Sequence, residues 1–242
     1  MTQSPTRVNS IVTAIGLTYG SVLIGALVVL TATSILDGFG ISTTSRPSLE
    51  LVLGTVLYQG VTLGGIAILY LKISEHGLEF VPFSIPNKRD SAVIVVGIVT
   101  LLGLLLAASA ILSVLGIESA QNQIETTGQQ NPTAFLLLIP LSFLLVGPGE
   151  ELLYRGLVQG ILRETLHPAA AIILASALFA SIHLFSLTGE GKFVYLGIAF
   201  VLATVLGASY EYTENLTVPA MIHGAYNAIQ FAVSYLTATG GV

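Results

Sequence analysis

Seven apolar stretches, at about 9–35, 50–72, 91–117, 133–160, 168–187, 193–210 and 216–238, each come close to the length that carries a helix across a bilayer. About 20 apolar residues, rising 1.5 Å apiece, cross roughly 30 Å of hydrocarbon. The expected fold is therefore all-α: a polytopic transmembrane helix bundle of about seven helices, between six and eight, with any active site inside the bundle. Composition agrees, with 53% hydrophobic and 9% charged residues, where a soluble domain carries about 25% charged residues. The first stretch is preceded only by Arg7, and SILDGFG makes a poor signal-peptidase site, so it reads as a retained helix.

The same composition excludes several functions. Cysteine is absent, which removes disulfides, thiolate nucleophiles and cysteine-ligated metals. A net charge of −5 with three lysines argues against nucleic acid, which calls for clustered basic groups. With the N-terminus cytoplasmic, Arg7, Lys72, Lys88, Arg89 and Arg163 fall inside and Arg46 and Lys192 outside, the arrangement the positive-inside rule favours. The chain is thus expected to be an integral multi-pass protein of the cell membrane. Segment 72–90 reads as an interfacial connection, and 117–132, polar and free of Lys and Arg, as an outer loop. His76 and His167 fall in connections and read as solvated, and the Asn215-Leu216-Thr217 sequon falls on the inner side.

Ionisable groups inside the spans cost about 2.5–3.5 kcal/mol each on insertion scales and mark function. They gather in the C-terminal half. GPGEELLYRGL (147–157) follows the charge-free AFLLLIPLSFLLV (134–146). On a helix Glu151 and Arg155 share a face and can pair, which leaves Glu150 free. Gly147-Pro148-Gly149 is expected to break or kink that helix, and a half-helix starting there would hold carboxylates at its N-terminal dipole. In FASIH (179–183), Phe179 and His183 lie one turn apart, so the ring can wall a site that the imidazole enters. Midway between 150 and 183 the chain reads His167-Pro168, a natural break. A hairpin closing there puts Glu150 and His183 at equal depth, each about 25 Å from the turn. In HGAYN (223–227), His223 and Asn227 share a face beside small residues that permit close helix approach.

Carboxylate and imidazole can activate water and then protonate a leaving group, while a second imidazole and an amide can donate to a developing oxyanion. That combination hydrolyses an amide. Alternatively, Glu150, His183 and His223 could hold zinc with an open position for water.

EELLYR (150–155), FASIH and HGAYN resemble the EExxxR, FxxxH and HxxxN motifs of the CPBP or Abi family, which includes CAAX prenyl endopeptidases and bacteriocin-processing and immunity membrane proteases. The likeness covers about 145–235 and divides the single membrane domain into N-terminal helices and loops (1–132) and a catalytic bundle (133–242). It implies Glu150 as catalytic base, His183 as its partner in activating water, and His223 with Asn227 as the oxyanion site, supported by Glu151, Arg155 and Phe179. It implies a membrane-bound or lipidated polypeptide as substrate, for instance a prenylated one. Members are described both as zinc enzymes and as metal-free glutamate enzymes; the expectation here is no cofactor, with zinc the alternative.

Two other functions compete. Glu and His inside a bundle also build proton relays in transporters, but the first three stretches hold almost no ionisable residues to continue such a line. A non-catalytic immunity or scaffold protein could capture a peptide in the same cavity. Read singly, the motif residues also have plain structural explanations, such as Arg155 snorkelling to the headgroups or His223 and Asn227 bonding neighbouring helices.

Overall fold

The computed structural model describes residues 6–43 and 45–241. Its helices are α1 (Arg7–Gly38), α2 (Pro47–Ile73), α3 (Lys88–Leu115), the short α4 (Gln123–Gln130), α5 (Thr133–Arg163), α6 (Pro168–Ser186), α7 (Lys192–Thr213) and α8 (Thr217–Ala238). Each of the seven apolar stretches falls on one long helix, and the protein is an all-α multi-pass membrane bundle. Six of the long helices are apolar enough to cross a bilayer. At 22 residues α8 is long enough but more polar, since it carries His223, Asn227 and Gln230 and packs among α3, α5 and α7.

Small residues set the closest approaches. The buried stripe of α1 is Ser10, Ala14, Thr18, Ser21 and Gly25, three or four residues apart, which lets neighbouring helices approach closely. Tyr58 of α2 lies against Gly25, and the Tyr19 hydroxyl meets Ser181 Oγ of α6 at 2.8 Å.

The expected break in α5 does not occur. Val146, Gly147, Glu151 and Leu152 all have helical dihedrals, and the rod runs unbroken past Pro148. Wide π-helical turns over Ser142–Val146 and Leu152–Gln159 flank the proline, and the Gly147 N–H reaches back five residues to Ser142 O. The looser winding gives the proline ring room without ending the helix. No helix N-terminus faces Glu150, so the expected dipole support is absent. The glycines serve packing instead. A Cβ on Gly147 would stand 2.6 Å from the Ala220 carbonyl of α8, and one on Gly149 would collide with the Gln59 carbonyl of α2.

One end of the bundle is tied by polar contacts among three connections. Pro82 O accepts from Leu216 N at 2.9 Å, Ser84 N donates to Asn215 Oδ1 at 3.0 Å, and Asn215 Nδ2 donates to Asp90 Oδ2 at 3.2 Å. The sequon's amide is therefore spent inside the fold. His76 pairs with Glu164 at 2.9 Å and packs edge-on against Phe80, and His167 caps α6 by accepting from Ala169 N. His76, expected to be solvated, is half-buried where two connections pack together, whereas His167 is exposed as expected and its ring also caps α6. The break between α5 and α6 falls at His167-Pro168, as the sequence implies. At the opposite end, segment 117–132 is more than a polar loop. β1 (Gln121–Asn122) pairs antiparallel with β2 (Leu187–Thr188), and α4 follows directly.

Candidate active site

The four helices α2, α5, α6 and α8 bring their polar residues to one cavity of about 470 Å³, lined among others by Gln59, Glu150, Phe179, His183, His223 and Asn227. It extends toward α4 past apolar residues of α3 and α7 such as Leu105 and Ile198. Glu150 and His183 both reach it, which is the outcome equal depth in the α5–α6 hairpin requires.

Glu150 and Glu151 are both buried, at 4% and 0% exposure, yet they meet different partners. Glu151 forms the expected ion pair with Arg155, Oε2 to Nε at 3.2 Å. Arg155 is wholly buried, donates from Nη2 to Ala203 O at 3.1 Å and lies 4.8 Å from the centre of the Phe179 ring. Buried charges persist only when paired in this way, and the explanation by snorkelling does not apply. Glu150 escapes Arg155, as the helical spacing requires, but it is not free. Gln59 Nε2 donates to its Oε1 at 2.9 Å.

His223 stands between the two carboxylates. Its Nδ1 donates to Glu151 Oε1 at 2.7 Å, and its Nε2 lies 3.8 Å from Glu150 Oε2. Because a paired carboxylate can only accept, the proton sits on Nδ1. His183 is fixed similarly, Nδ1 donating to Phe179 O at 3.0 Å, which leaves Nε2 available. The Phe179 ring touches both imidazoles edge-on, with centroids 4.9 Å from His183 and 5.9 Å from His223, and meets Tyr154 at 5.0 Å. It is a wall of the site. Asn227, one turn beyond His223, lines the cavity without bonding to Glu150, His183 or His223. All the motif residues thus converge.

Gln59 was missed. A lone amide inside an otherwise apolar span is a usable signal, since polar side chains within membranes find partners. The bond from His223 to Glu151 was also missed, because helical spacing predicts neighbours on one helix and not across two.

Zinc would draw on Glu150, His183 and His223. Among the described residues no three His, Asp or Glu side chains gather as metal ligands. Glu150 accepts from Gln59 on Oε1, and its Oε2 lies 3.8 Å from His223 Nε2.

The site thus holds a buried carboxylate pair, two imidazoles and an amide, carried on long helices of the bundle. Residues 132–229 match the Rce1-like family of type II CAAX prenyl endopeptidases. This Rce1-like segment begins just before α5, ends within α8 and contains all three motifs, in agreement with the likeness read from them. The family is one of membrane proteases. No curated protein and no solved structure matches the chain. Gln59 lies outside the Rce1-like segment.

Proposed function

We propose that the protein is a CAAX-type intramembrane endopeptidase that hydrolyses a peptide bond of a membrane-associated or lipidated polypeptide. The observation that carries the reading is a buried glutamate, Glu150, sharing one cavity with two imidazoles and an amide. Glu150 accepts a proton from water while His183 Nε2 orients that water, and the oxygen attacks the scissile carbonyl carbon. The resulting oxyanion receives hydrogen bonds from Asn227 Nδ2 and from Nε2 of protonated His223, which Glu151 holds in place. The C–N bond then breaks, and Glu150 returns its proton to the leaving amine. The bundle limits solvent around these groups, which strengthens each interaction relative to water. Cavity-lining Leu101, Leu105 and Leu112 of α3 give an apolar wall suited to a lipid-linked substrate.

The test is cleavage of a quenched lipidated peptide library by detergent-purified protein in ¹⁸O-water. Incorporation of one ¹⁸O into the new carboxyl, at a rate unchanged by a strong chelator, is expected. Loss on chelation with rescue by zinc contradicts the metal-free route, and proton flux in liposomes without cleavage contradicts the protease reading.

A further inference from the structure

Gln59 makes a direct side-chain contact with Glu150 from outside the Rce1-like segment. Two features of the backbone put it there. The middle of α2, Thr55–Leu63, is wound in wide π-helical turns, a distortion that recurs at functional sites. Opposite it, α5 presents Gly149, whose missing side chain admits the Gln59 carbonyl, and a Cβ on Gly64 of α2 would stand 3.6 Å from the Gly149 Cα. The helices meet backbone to backbone beside the carboxylate, and that contact sets the register of Gln59 against Glu150.

A carboxylate has two oxygens, and a general base must offer one of them in a defined direction. Gln59 occupies Oε1 at 2.9 Å, while Oε2 is the oxygen nearest His223 Nε2, at 3.8 Å. We infer that Gln59 is a positioning residue for the hydrolysis: it holds Oε1 and so reserves Oε2 as the atom that takes the proton from water and hands it to the leaving amine. This rests on the proposed role of Glu150. An amide suits the task because its N–H can donate to Oε1 whether or not Oε2 carries the proton. It also adds no charge beside two buried carboxylates. A cation at position 59 would pair with the base and compete for its lone pairs, as Arg155 does on Glu151.

Gln59→Met keeps the length of the side chain and removes the donor. In the purified protein kcat is expected to fall about tenfold or more, the worth of a hydrogen bond to a charged group. KM should stay within about twofold, since the lost contact acts on the chemical step. The unfolding midpoint should fall only modestly, by the loss of one buried hydrogen bond. A second readout does not depend on turnover: the infrared band of the Glu150 carboxyl, identified by its loss in Glu150→Gln, should move in Gln59→Met. An unchanged kcat or an unmoved band overturns the inference while leaving the protease reading intact, provided Glu150→Gln is inactive. Equal cleavage by wild type and Glu150→Gln overturns the protease reading, and this inference with it.

Discussion

Helices α3 and α5 have similar lengths, 28 and 31 residues, and α3 is the more apolar of the two, yet 11% of its membrane-spanning window is buried in the bundle against 44% for α5. In water the more apolar rod would take the centre. In lipid, apolarity is already satisfied outside, so what draws a helix inward is close packing and polar groups needing partners. α5 has both: Gly147 and Gly149 for approach, and Glu150, Glu151 and Arg155 for pairing. α3 packs through its first half, up to Leu101 at its middle, which meets Val218 and Ile222, and it turns residues such as Leu106 outward.

Substitutions on the two helices should separate these causes. Arg155→Ala leaves Glu151 buried without its cation and is expected to destabilise by about 3–5 kcal/mol, read as a fall in the unfolding midpoint in detergent. Leu106→Arg puts a charge on the lipid face of α3, 70% exposed within the bundle, and should cost about 2.5–3.5 kcal/mol in an insertion assay. Gly149→Ala forces α2 and α5 apart at the Gln59 carbonyl, with an expected loss of about 1–3 kcal/mol and a drop in activity as Gln59 leaves Glu150. Leu106→Ala should change stability by less than about 0.5 kcal/mol. A large effect there would mean that α3 is held by packing no different from that of α5.

Much of this was legible in the residues. The seven long helices follow from length, the hairpin from His167-Pro168, and the shared depth of Glu150 and His183 from helical rise. The meeting of His223 and Asn227 with them is what the likeness to the EExxxR, FxxxH and HxxxN motifs implies. Local rules failed where a second helix intervened. Gly147-Pro148-Gly149 reads as a break or kink along one chain, but the helix does not end there: π-helical turns accommodate the proline, and neighbouring backbones explain the glycines. Spacing identifies Arg155 as the partner of Glu151, whereas the bonds from Gln59 to Glu150 and from His223 to Glu151 depend on which helices adjoin. Spacing within one helix carries no information about that adjacency.

The most direct test of the account compares cleavage of the lipidated peptide library by wild type and Glu150→Gln, both verified as folded by their unfolding midpoints. Loss of the general base should lower kcat by about 10²–10⁴-fold. Equal rates in the two proteins would contradict the assignment of Glu150 as the base.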